Sequence, residues 1–154
     1  MQLKLLEEKI FRCLLNLRRN KFAFISQWRI VVSMNKYITI VELTEFKAFA
    51  KKHLSDDEVS LIISDLAKNP KAGDLIAGSG GLRKFRFART GKGKSGGCRI
   101  IHYYHDNDIP VFLITGFAKN EMENISKSAC NTYQKILPLI VANYKVNNHR
   151  KEYR

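Results

Sequence analysis

A stretch of period-two alternation and a β-branched, aromatic run, separated by a loop without an apolar residue, constrain the fold of this chain more than any other feature. From Leu82 to Ala88 (LRKFRFA), Lys84 and Arg86 fall on one face and Phe85 and Phe87 on the other, the pattern of a half-buried strand. Arg89 to Gly97 (RTGKGKSGG) is polar and glycine-rich, a loop. Cys98 to Tyr104 (CRIIHYY) is β-branched and aromatic, a second strand. The expectation is a hairpin, and pairing of its strands lets Lys84, Arg86 and Arg99 share one surface.

The charge of this region points to an anionic partner. Gly78 to His105 holds seven of the nine glycines and seven Lys/Arg (Arg83, Lys84, Arg86, Arg89, Lys92, Lys94 and Arg99), and no acid interrupts it between Asp74 and Asp106. The net charge is +13; residues 1–33 and 145–154 account for +5 and +3, and the intervening body for the other +5. A cluster this local argues for a polyanion more strongly than overall basicity does, although a plain solvated surface accounts for charge alone. Two phosphate motifs fail on context. Gly91, Gly93 and Gly96 satisfy G-x-G-x-x-G, and Gly93-Lys94-Ser95 resembles the end of a Walker A loop, but a strand follows where both motifs need a helix.

Upstream, Tyr37 to Leu43 (YITIVEL) reads as a strand and Thr44 to Leu54 as a short helix with Phe46, Phe49 and Ala50 on one face. Ser55 to Glu58 is a capping-box sequence opening a second helix, with Val59, Ile62, Ile63 and Leu66 at helical spacing until Asn69-Pro70 stops it. A turn-rich link, Lys71 to Ala77, leads to the hairpin. Downstream, Asp106 to Asp108 turns into an apolar strand, Ile109 to Ala118 (IPVFLITGFA), expected in the middle of the sheet. Ser126 is expected to cap a last helix with a buried stripe of Cys130, Tyr133, Leu137, Ile140 and Tyr144, kinked at Pro138. The fold class is α+β, a small antiparallel sheet with helices packed against one face.

At 154 residues the chain suits one domain with a proper core. Cys13, Cys98 and Cys130 are scattered and odd in number, which argues against a disulfide framework or a structural zinc site and for the reducing cytoplasm. No apolar run approaches the roughly 20 residues of a membrane span, and no signal-peptide pattern opens the chain. Leu3 to Leu17 has the spacing of an amphipathic helix. Because a fresh pattern begins at Met34, residues 1–33 are read as an extension, either upstream of the true start at Met34 or dispensable. Residues 34–144 are the domain, and residues 145–154 a basic tail.

Four blocks carry a family resemblance: Asn69 to Asp74 (NPKAGD), Gly78 to Lys84 (GSGGLRK), Gly91 to Gly97 (GKGKSGG) with Arg99, and Ala118 to Glu121 (AKNE). In this order and spacing the chain resembles RelE/HigB-type toxins of bacterial toxin–antitoxin pairs, closest to the HigB branch. The resemblance implies a curved antiparallel sheet flanked by helices, similar to that of small microbial ribonucleases. It also implies cleavage of mRNA engaged on the ribosome, and a cognate antitoxin, often with a helix-turn-helix domain through which alone operator DNA would be bound. By matching motifs it places Lys84, Arg86, Arg99 and Lys119 in the catalytic site; Arg83, Arg89, Lys92 and Lys94 are the further RNA-binding candidates. Some members have an Arg where Asn120 stands.

The chemistry fits these residue types. Attack by the substrate's own 2′-oxygen builds negative charge on a phosphorane, which positioned cations stabilise without a metal or other cofactor. Lys84 is the candidate general base, and no general acid is assigned. Lys84 and Arg86 as ordinary solvent-facing strand residues, Lys119 as a surface lysine ending the sheet, and Phe117 as a core residue or a base-stacking platform all stay open. Cys98 and His102 share a strand face but lack a third metal ligand. Two rival functions remain, a ParE-like toxin acting on DNA gyrase and a non-catalytic RNA-binding module.

Overall fold

A computed structural model of the chain describes residues 37–89, 96–119, 121 and 124–149. The expected helix at Leu3 to Leu17, Lys92, Lys94, Asn120 and the end of the basic tail lie outside them. In order, the elements are β1 (Ile40–Glu42), α1 (Thr44–His53), α2 (Asp56–Lys68), β2 (Asp74–Leu75), β3 (Leu82–Phe87), β4 (Cys98–Tyr103), β5 (Val111–Ala118) and α3 (Lys127–His149). The strands form one sheet in the order β1-β5-β4-β3-β2.

The continuous apolar run of β5 explains the layering. Val111 and Leu113 pack with Phe46, Phe49, Ile62 and Leu66 of α1 and α2. Phe112 and Ile114 pack with Tyr133, Leu137 and Val141 of α3. Since successive side chains of a strand alternate between faces, helices cover both faces of the sheet, and the expectation of helices on one face is corrected. The sheet is also mixed rather than purely antiparallel. β1 pairs with β5 in parallel, Ile40 opposite Val111, because the chain returns to β1's flank only after the long passage through α1, α2 and the hairpin.

Local chemistry sets most boundaries. Ser55 Oγ accepts from the Glu58 amide at 3.2 Å and Glu58 Oε2 from the Ser55 amide at 3.0 Å, a reciprocal capping box at the start of α2. The Asp106 carboxylate accepts from the amides of Asp108 and Ile109, turning β4 into β5. Ser126 Oγ accepts from the Ala129 amide at 3.1 Å, as expected of the cap of α3. Pro138 lies within α3 without ending it, and the helix runs on to His149, into the segment read as a basic tail.

A bulge reorients the C-terminal end of β5. Ile101 pairs with Thr115 but His102 with Leu113, so Ile114 is the extra residue. The shift in phase leaves Gly116 facing α1, where an added Cβ would run into the Phe49 ring, and turns Phe117 toward the α3 face.

Candidate functional site

The α3 face of the sheet carries a row of cations beyond the part that α3 covers. Leu82, Ile101 and Tyr103 belong to the α3 core, so by alternation Lys84, Arg86 and Arg99 lie on the same face. Phe85 and Phe87 pack on the opposite side, against the α1 and α2 core. The register sets Arg86 directly opposite Arg99, and Arg99 directly opposite Phe117 on β5. Directly paired residues hold their Cβ atoms about 4.5–5.5 Å apart, so the two arginine side chains leave the sheet from neighbouring positions on one face. Arg86 is exposed and Arg99 half-buried. Arg99 Nη1 is shielded from solvent and has no hydrogen-bond acceptor among the described residues.

Lys84 extends this row toward α3. Its Nζ donates to Asn124 Oδ1 at 2.6 Å, in the segment leading to α3. Asp74 faces Lys84 across the β2–β3 register, yet among the described residues no ion pair involves Lys84. Gly73 is what allows β2 to sit so close: its φ is +82°, and a Cβ there would collide with the Lys84 carbonyl and the Phe85 Cα. Lys84 also lines a cavity of about 480 Å³ between β2 and the first turns of α3.

The other candidates are placed differently. Lys119 follows β5 in an exposed turn, and its amide donates to the Gly97 carbonyl at 3.3 Å. It therefore stands at the sheet end where Cys98 and Arg99 open β4. Arg83 is on the opposite face from Lys84 and Arg86, and its Nη1 donates to the carbonyls of Lys71 (2.9 Å) and Gly73 (3.0 Å). Arg89 is half-buried, with Nε 3.8 Å from Glu58 Oε1. These two arginines fasten the hairpin from behind and are not part of the exposed row. Phe117 is 6% exposed and part of the α3 core.

His102 and Cys98 are buried on the α1 and α2 side. The His102 ring is fully enclosed, and its Nε2–H donates to the Pro70 carbonyl at 3.3 Å. Burial, with Arg83 close by, brings its pKa down to about 4, so the ring is neutral. Burial pushes the Cys98 thiol up to about 11, which disfavours the thiolate needed for nucleophilic or ligand chemistry.

Sequence reasoning missed Asn124, the cavity and Asp74. Asn124 sits in a segment without periodicity, and β2 has two residues, too few to show a pattern. Arg83 did carry a signal: its position shares the parity of Phe85 and Phe87, which already assigned it to the back of the hairpin.

Chemically, the front of the hairpin is a cationic surface. It offers two arginines opposite each other in register, one with a buried donor that has no acceptor among the described residues, next to a lysine held by a side-chain amide. Residues 38–147 match the family model described as the RelE toxin of the RelE/RelB toxin–antitoxin system.

Proposed function

This chain belongs to the RelE toxin family and is thus the toxin of a toxin–antitoxin pair, and from that premise we propose that it is a metal-independent endoribonuclease of the HigB branch that cuts mRNA engaged on the ribosome. The observation that carries the proposal is the direct cross-strand pairing of Arg86 with Arg99 on one open face, beside Lys84. In an antiparallel sheet a like-charged pair directly opposite is destabilising; a dianionic phosphorane turns that cost into transition-state binding.

In the proposed reaction the 2′-oxygen forms a bond to the adjacent phosphorus and the bond to the 5′-oxygen breaks. The products are a 2′,3′-cyclic phosphate and a free 5′-hydroxyl. Lys84, acting as an amine, is assigned the proton of the 2′-hydroxyl and solvent water the proton that the departing 5′-oxygen takes up; Arg86 and Arg99 are assigned the equatorial oxygens, and Lys119 a flanking phosphate at the exit of β5. Lys92 and Lys94 are assigned to the RNA backbone around the site, where the flexible ammonium suits point-charge contact.

The partner that silences the toxin is proposed to be a small antitoxin, with operator DNA bound only through its helix-turn-helix domain. Residues 1–33 are proposed to be dispensable for cutting, which activity of a chain beginning at Met34 would test. For the reaction itself, the protein is added to an in vitro translation reaction with a defined mRNA and the cut ends are mapped. Cleavage that needs ribosomes and is lost in Arg99→Ala supports the reading. Intact mRNA alongside loss of gyrase supercoiling points to a ParE-like toxin, and binding without cleavage points to a recognition module.

A further inference from the structure

The cavity beside Lys84 has no role in the reaction as written. It measures about 480 Å³, within the range of ligand sites, roughly 300–1,000 Å³. Its lining is of two kinds. Ile76 and Ile125, both packed against the α3 core, supply apolar walls. Asp74 and Asn131 supply polar groups, and Lys84 forms the border shared with the cationic row. A carboxylate in the lining opposes a second phosphate. Flat apolar surface with a carboxylate and a carboxamide at its margin matches a nucleobase: the walls contact the ring faces, and Asp74 accepts from an exocyclic amino group on the base edge. The Asn124 Oδ1 is taken by Lys84, which leaves its amide nitrogen to donate to a base carbonyl or ring nitrogen.

We infer that this cavity is a base-reading subsite for the nucleotide next to the scissile phosphate, in which Asp74 and Asn131 favour an amino-bearing base (adenine, guanine or cytosine) over uracil. Lys84 couples it to the reaction, because the same side chain lines the cavity and stands two residues from Arg86 on one strand face, about 6.6 Å along the strand. The inference rests on the RNA-cleavage reading for its biological meaning but makes a binding claim of its own.

Two variants and one titration test it. Asp74→Asn removes the charged acceptor at an exposed edge position, and Asn131→Phe fills the cavity from an exposed position of α3. Cut sites are mapped on one mRNA pool in a translation reaction. The wild type is expected to show about 10- to 100-fold preference against uracil at one fixed position beside the cut, as a good side-chain-to-base pair provides. Asp74→Asn should lose most of that preference, and Asn131→Phe should lose cutting at the preferred sites. An unaltered cut distribution in both variants overturns the inference. Independently of cleavage, the wild-type protein is titrated with AMP, CMP, GMP and UMP while the side-chain amide signals of Asn124 and Asn131 are followed by NMR. Saturable shifts with the first three, weaker with UMP, support the subsite; no shift with any overturns it, whether or not the protein cuts RNA. Shifts without cleavage would keep the subsite and defeat the nuclease reading.

Discussion

Replacing Arg99 with methionine should make the protein more stable and less active, and both effects follow from one geometry. Arg99 faces Arg86 directly across the β3–β4 register, and relief of a like-charged cross-strand pair is worth about 0.2–1 kcal/mol. Arg99 Nη1 is shielded without an acceptor among the described residues, and a buried unmatched donor costs about 1–3 kcal/mol. Methionine keeps an unbranched apolar stem beside Phe117, so little packing is lost. Allowing for incomplete relief, Arg99→Met should gain about 1–2 kcal/mol at low salt, a rise of roughly 4–8 °C in Tm or more for a domain of this size. Cleavage should fall by about 10²–10³, the cost of one oxyanion contact. Urea denaturation at about 0.02 M and 1 M salt isolates the repulsion, since the screening length shrinks to about 3 Å at 1 M. The wild type should be stabilised by salt and the variant should gain less. A variant that is destabilised at low salt, or that is stabilised yet cuts at the wild-type rate, refutes the reasoning.

Three other outcomes can be checked with the same methods. Because the folded-state pKa of His102 is lowered to about 4 from an unfolded value near 6.5, the unfolded chain binds the proton more readily. Its contribution to stability is complete above pH 6.5 and is lost as pH falls toward 4, about 2 kcal/mol between pH 7.5 and 5. Urea midpoints across that range should show the loss, and His102→Gln should flatten it. Gly73→Ala should cost about 2–4 kcal/mol, from a side chain at positive φ and a collision with the β3 backbone at Lys84, measured as a drop in urea midpoint at unchanged slope. Ser55→Ala should cost about 1 kcal/mol by removing half of the capping box that opens α2, seen as a Tm decrease with cleavage retained at temperatures where the variant is folded.

What was legible in the sequence was local. The alternation of Leu82 to Ala88 led to β3 at Leu82–Phe87, and the same period put Lys84, Arg86 and Arg99 on one face. The capping box needed four residues and is present with both bonds. What stayed hidden was non-local. β2 exists because Asp74 and Leu75 pair with Lys84 and Arg83, not because two residues have a pattern. The parallel pairing of β1 with β5 depends on where a long connection returns, which no window of sequence contains. The two-sided helical cover was within reach: an unbroken apolar run such as VFLI has to be buried on both faces, and placing all helices on one face ignored it. The bulge at Ile114 that turns Phe117 toward the α3 core had no local marker beyond Gly116.

Arginines of one hairpin thus divide by parity into two groups with opposite electrostatic fates. Behind the sheet, Arg83 is satisfied by two backbone carbonyls and Arg89 approaches Glu58, whose carboxylate also closes the α2 cap. These contacts tie β3 to the link before β2 and to the start of α2, so the strand cannot slide to relax its front. On that front, Arg86 and Arg99 stand opposite each other in register, with Lys84 two residues along restrained by Asn124. A strand clamped from behind keeps the positions from which these side chains leave the sheet fixed relative to one another. On the proposed function, the formal charge of +13 would draw a polyanion toward the molecule, and the fixed positions of these three side chains would decide where it is held. Conversion of Arg83 to Lys should therefore weaken the site without touching it, since the shorter lysine side chain stops short of the position from which Nη1 serves both the Lys71 and Gly73 carbonyls. Cleavage should fall severalfold in Arg83→Lys at nearly unchanged net charge and unchanged salt dependence, whereas a direct phosphate contact would show itself as a shallower salt slope.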